Sequence, residues 1–82
     1  MATKSVVRRS KYSYPVIIEQ DEDGFFISCP ALQGCISQGD SYEEALRNIE
    51  DAIALHIESR RAHGIEIPRS SKVCLTFVEV RV

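Results

Sequence analysis

One stretch constrains this chain more than any other. From Ser41 to His63 it reads as a single long amphipathic helix, and no second helix follows for it to pack against. Ser41 and Glu44 stand in S-x-x-E spacing. In that capping box the hydroxyl accepts a backbone N–H one turn on, and the carboxylate reaches back to the helix start. Tyr42, Ala45, Leu46, Ile49, Ala52, Ile53, His56 and Ile57 recur at three- and four-residue intervals, which makes one apolar stripe. Arg60, Arg61 and His63 suit the negative end of the helix, and Gly64 is a natural residue just past it. A lone helix must cover its stripe with something, and the rest of the chain offers strands.

Tyr12 to Gln20 alternates, with Tyr14, Val16 and Ile18 on one face and Ser13, Pro15, Ile17 and Glu19 on the other. Pro15 lacks an N–H, so it belongs near the start of that strand or along an unpaired stretch. Asp21-Glu22-Asp23-Gly24 is a turn, and Phe25 to Cys29 is the second strand of a hairpin. Pro30 to Gly34 is a loop. Cys35 to Gln38 is a short third strand, ended by Gly39-Asp40. After the helix, Ile65 to Ser71 is a linker stopped by Pro68, and Lys72 to Val82 is dense in strand-forming Val, Leu, Phe and Thr. The order β-β-β-α-β predicts an α+β domain: three antiparallel strands, one helix packed on one face, and a fourth strand that returns by the helical crossover to lie parallel beside the first. The expected boundaries are a flexible basic tail over residues 1–11 and a single domain over 12–82. The uncovered sheet face would carry Ile17, Phe25 or Phe26 and a row of the fourth strand with Val78 and Val80, which points to an oligomer interface.

Composition excludes several function classes. No apolar run approaches the roughly 18–20 residues of a membrane span. Met1 to Arg9 has no apolar stretch of a secretory signal, and three cysteines are too few for a disulfide framework, so a reducing, cytoplasmic setting is expected. Cys29 and Cys35 stand six apart and Cys74 is alone, with no paired histidine; this is a poor zinc pattern, and buried small hydrophobes are the simpler role. His56 reads as a core histidine and His63 as a partner of the helix end. No cofactor, metal or catalytic residue is expected.

Charge is the informative remainder. Net charge is only −2, yet Glu19 to Glu58 holds ten acids against Arg47 alone, a local balance of −9. Such a surface repels nucleic-acid phosphates and attracts a basic protein. Glu19, Asp21, Glu22 and Asp23 cluster at the first hairpin, a turn tip that suits solvation or docking better than metal-bridged catalysis. On the helix's outer face Leu55 lies between Asp51 and Glu58, an apolar side chain set among carboxylates, as a docking anchor would be. These seven residues form the expected partner-binding set.

The segment from Tyr14 to Pro68 resembles the HicB family of small antitoxin-like proteins. The residues that carry the likeness are Tyr14-Pro15-Val16-Ile17-Ile18-Glu19, Asp21 to Gly24, Ser28, Asn48, and the run P-x-L-x-G-C-x-S-Q-G-D-S-x-E-E-A from Pro30 to Ala45. It spans about two thirds of the chain. The resemblance implies a partial RNase H-like β-β-β-α-β fold without RNase H-like catalysis. It implies binding to a HicA-type toxin, a small basic ribonuclease that cuts mRNA with a histidine of its own. Longer family members append a DNA-binding module. Here the sequence ends at Val82, just after the expected fourth strand, so no DNA binding by the folded domain is expected. Two rival readings share the same residues. One is an oligomeric regulatory domain with no toxin partner. The other is a carboxylate-dependent RNase H-like nuclease.

Overall fold

The computed structural model describes residues 11–69 and 72–82. Its elements run β1 (Ile17–Asp21), β2 (Gly24–Ser28), β3 (Ile36–Gly39) and α1 (Tyr42–Ala62). The sheet is antiparallel in the order β1-β2-β3. Glu19 stands opposite Phe26, and Phe26 opposite Gln38. The basic tail expected over residues 1–11 lies outside the described residues except for Lys11, as do Ser70 and Ser71 of the linker.

Alternation sorts the side chains by face. Ile18, Phe25 and Ile27 turn toward α1, whereas Ile17, Glu19, Phe26 and Ile36 stand on the open side. The core is Ile27, Cys29, Leu32, Cys35, Ala45 and Ile49, with Tyr14, Val16, Ile18, Phe25, Leu46 and Ile53 packed around it. Cys29 and Cys35 are therefore buried, as expected, whereas Cys74, expected to be buried with them, is exposed. Leu32 is only 1% exposed although it sits in the loop between β2 and β3. Backbone bonds fold that loop inward: Leu32 N–H donates to the Cys29 carbonyl at 3.0 Å, Cys35 N–H to the Leu32 carbonyl at 3.0 Å, and Cys29 N–H to the Cys35 carbonyl at 2.9 Å.

The helix is capped at both ends. Glu44 N–H donates to Ser41 Oγ at 3.1 Å, while Glu44 Oε1 accepts from Asp40 N–H at 2.5 Å, one residue before the cap. At the other end Ile65 N–H donates to the Arg60 carbonyl and Gly64 N–H to the Arg61 carbonyl, with Gly64 at φ 67°. This is the Schellman arrangement, and it needs the left-handed backbone that glycine adopts without strain. Gly39 is required for another reason. A Cβ there would lie 2.5 Å from the Ala45 nitrogen, so only a bare Cα lets the end of β3 touch the first turn of α1.

Two expectations need correction. The first strand begins at Ile17, not Tyr12: the alternation continues back through Tyr14, but no ladder forms there. Second, no fourth strand is formed among the described residues. Lys72–Val82 adopts no regular structure, and Leu75 and Phe77 are 88% and 92% exposed. Strand-forming side chains do not make a strand without an edge to pair with, and among the described residues the segment pairs with none.

Packing predicts an ordering of stabilities. Gly39→Ala should destabilise by about 1–3 kcal/mol, because backbone atoms of α1 cannot move aside. Leu32→Ala should cost roughly 2–5 kcal/mol. Leu55→Ala, at an exposed position, should change stability by less than about 0.5 kcal/mol. Urea denaturation at one fixed protein concentration measures all three.

Candidate functional site: an acidic hairpin and helix surface

The hairpin turn is built by its own acids. Asp23 N–H donates to Asp21 Oδ1 at 2.8 Å, and Gly24 takes φ 133° to close the turn. Glu19, Asp21, Glu22 and Asp23 are all exposed. Because β2 carries Gly24 and Phe25 back past the end of β3, Asp23 arrives beside the start of the helix. There it lines a groove of about 260 Å³ with Asp40, Glu44, Asn48 and Gln38. Asn48 Nδ2 donates to the Gln38 carbonyl at 2.7 Å and ties the groove's helix wall to its sheet wall.

Asp40 and Glu44 thus join the acidic surface, although the sequence marked Asp40 as the end of the third strand and Glu44 as a capping residue. One side chain does both: the carboxylate that accepts from the Asp40 N–H also faces the groove. The signal lay in the D-S-x-E run itself, which places a second acid directly before the helix cap.

Asp51, Leu55 and Glu58 form a separate surface. All three are exposed, and Leu55 is 66% so. Leu55 opens onto a shallow groove of about 370 Å³ with Ala52, His56, Ser59 and Arg60. Its surroundings are therefore mixed in charge, because Arg60 shares the groove. The open sheet face is a third surface, where Glu19, Phe26, Ile36 and Gln38 line another shallow groove of about 370 Å³. Ile17, 40% exposed, stands on that face. Val78 and Val80 do not join it: both are exposed on the C-terminal segment.

Among the described residues no group of three or more His, Cys, Asp or Glu side chains is disposed to hold a metal ion. His63 Nδ1 lies 2.7 Å from the Ser59 carbonyl, so that nitrogen carries the donated proton and serves the helix end. No helix of the described residues is long and apolar enough to cross a membrane.

Behind the surface, two acids are held neutral. Burial pushes the Cys35 thiol up from its ordinary 9.0, and the neighbouring Cys29 adds to this. Burial also raises the Tyr14 phenol, helped by Cys29 and Tyr12 and opposed by Arg60 and Arg69. Tyr14 Oη donates to the Pro68 carbonyl, and the Arg69 guanidinium lies 5.1 Å above the Tyr12 ring. The chain after the helix is thereby tied to the lead-in of β1.

Comparison with known proteins places this geometry. A model of the HicB-like antitoxins of bacterial toxin-antitoxin systems matches residues 14–78. The UPF0150 protein of Helicobacter pylori is 61% identical over 64 residues, covering 78% of this chain and 89% of that one. Antitoxin HicB 2 of Photorhabdus laumondii is 38% identical over 71 residues, covering 82% of this chain and 48% of that longer protein. Among solved structures, a chain of a HicA3 and HicB3 toxin-antitoxin complex superposes with a TM-score of 0.62 at 32% identity, over 73% of this chain and 70% of that one.

The raised acids predict an alkaline limit. A thiol and a phenol whose values are higher in the folded state favour folding fully below their ordinary 9.0 and 10.0. That contribution is lost as pH rises past those values, because the unfolded chain then ionises first. The urea midpoint should fall between about pH 8 and pH 10.5, and the fall should be smaller in Cys35→Ala.

Proposed function

Because this chain belongs to the HicB-like antitoxin family of bacterial toxin-antitoxin systems, we propose that it binds and neutralises a small basic ribonuclease toxin of the HicA type by covering the toxin's RNA-binding surface. The observation that carries this reading is the likeness, at 32% identity, to a chain solved in a HicA3 and HicB3 complex. Charge supplies the mechanism. A surface that holds RNA must present cations to phosphates, and an array of carboxylates can occupy the same cations. The hairpin acids Glu19, Asp21, Glu22 and Asp23, now with Asp40 and Glu44, form one such array. Asp51 and Glu58 flank Leu55 in another.

The division of labour follows from range. Exposed charges act across the solvent gap and speed encounter, whereas a desolvated apolar anchor acts only in contact and sets the lifetime. The protein is not an enzyme in this reading, and an acidic domain does not bind operator DNA. It acts in the cytoplasm as a homodimer or higher homo-oligomer. In this reading residues 12–82 are a single domain with a partial RNase H-like fold, and Lys72–Val82, unpaired in the single chain, supplies the fourth strand once an edge receives it.

The experiment is surface plasmon resonance against a small basic ribonuclease toxin of the HicA type. Neutralising Asp21, Glu22 and Asp23 together should slow association at low salt. The difference should vanish near 1 M salt, where the Debye length is about 3 Å. Leu55→Ala should speed dissociation by about 5–30-fold, the equivalent of roughly 1–2 kcal/mol. Rates that ignore both salt and these substitutions would place the docking surface elsewhere.

A second test addresses the nuclease reading. The purified chain should leave RNA and DNA intact in magnesium or manganese. Cleavage that co-purifies with it and disappears in Asp21→Asn would overturn the non-enzymatic reading.

A further inference from the structure

We propose that Lys72–Val82 forms its strand in trans, each copy of a homodimer laying this segment along the free edge of the other copy's β1. The proposal rests on reading the segment as the sheet's fourth strand and is independent of the toxin's identity.

The segment is built as a strand and left without a partner. Val73, Leu75 and Phe77 alternate with Cys74, Thr76 and Val78, and Val80 and Val82 continue the second row. All are exposed, Phe77 at 92%. The molecule is correspondingly long, 69 Å against 27 and 19 Å across. Its radius of gyration is 16.7 Å, where a compact chain of this length should have about 12 Å.

The segment leaves the body at a defined place. Tyr14 bonds the Pro68 carbonyl, and Arg69 covers Tyr12. Both contacts lie at the lead-in to β1, so the chain departs beside the strand whose outer edge is open. Among the described residues β1 pairs only with β2. The other sheet edge is already blunted, because Asn48 occupies the Gln38 carbonyl on β3. Charge agrees with the β1 edge. Lys72 and Arg81 outweigh Glu79 on the segment, whereas β1 and its turn carry Glu19, Asp21, Glu22 and Asp23.

A second copy is the occupant these features select. One chain offers one free strand and one free edge. Reciprocal exchange about a two-fold axis satisfies both in both copies and leaves nothing open for further pairing. A different protein taking the strand would leave the β1 edge bare. Each copy brings both its exchanged segment and its own β1 edge to the contact, so the two pairings add into one interface.

The test uses the whole chain. At about 100 μM, light scattering should give twice 9.2 kDa. In a mixture of differently isotope-labelled copies, filtered NOEs should connect the Ile17–Asp21 amides of one copy to Leu75 and Val78 methyls of the other. Thr76→Pro removes a ladder donor and should weaken the dimer by roughly a hundredfold with helical circular dichroism unchanged. Phe77→Asp should act likewise. A monomer, or a dimer indifferent to both variants, would overturn the proposal. So would NOEs from the segment to β1 of its own copy, which leave the fourth-strand reading standing. A segment with no contact to any β1 would overturn both. The NOE measurement needs no variant, so it decides even where the substituted chains aggregate.

Discussion

The approach of Gly39 to Ala45 is the contact on which the rest of this structure depends. With no Cβ at Gly39, the last residue of β3 lies against the first turn of α1, and the helix is seated on the sheet at a fixed height. Ser41 and Glu44 then cap the helix at the spot where the strand ends, and Asp40 is held by the same carboxylate. Gly24 repeats the device one strand over, since a Cβ there would meet the Gly39 carbonyl oxygen at 2.8 Å. Two bare positions thus draw hairpin turn, strand end and helix start together. The acidic groove of Asp23, Asp40 and Glu44 is a by-product of that packing.

The same geometry explains why so many acids are tolerated. Every carboxylate of the hairpin points to water, where repulsion among like charges is weakened by high dielectric and by salt. Their fields still add at a distance, and an approaching cationic surface meets them as a group. Catalysis with metals would need the opposite arrangement, acids converging inside a cleft. The apolar core behind the surface is small and neutral: Cys35 and Tyr14 are both held away from ionisation by burial.

Features decided by neighbouring residues were legible in the sequence, and features decided by distant ones were not. The capping box, the apolar stripe and Gly64 mark the helix to within a residue at each end, because caps are local chemistry. Asp21 to Gly24 marks the hairpin for the same reason. The burial of Leu32 had no local sign, since a loop residue enters a core only when the loop's own hydrogen bonds turn it inward. Tyr12 to Val16 alternates as faithfully as β1 itself, but alternation reports which side is apolar and not whether a ladder forms. Lys72–Val82 is the sharpest case: its composition states what it would do on an edge and nothing about whose edge. At the candidate site, the exposure of Leu55 followed from helical phase alone. Its neighbours Arg60 and His56 also lie within a turn and a half, and only the shared groove shows that they open onto the same surface.

Size turns the unpaired segment into a constraint on the whole molecule. Seven hydrophobic side chains are buried: Ile27, Cys29, Leu32, Cys35, Ala45, Ile49 and Ile57. Val73, Leu75, Phe77, Val78, Val80 and Val82 are exposed on one segment, so among the described residues this segment alone leaves more large apolar side chains outside the core than Ile27, Leu32, Ile49 and Ile57 supply within it. A domain this small buries only about 60% of its unfolded surface and has little stability in reserve. An exposed strand of this composition is also an aggregation hazard. Closing it onto a second copy removes the hazard and enlarges the core at once, and it makes folding stability depend on protomer concentration. Dimer formation through the β1 edge leaves the outer helix face with Leu55 uncovered. In the proposed dimer, toxin capture through Asp51, Leu55 and Glu58 would use a surface separate from the β1 edge, whereas the hairpin acids would lie beside the exchanged segment.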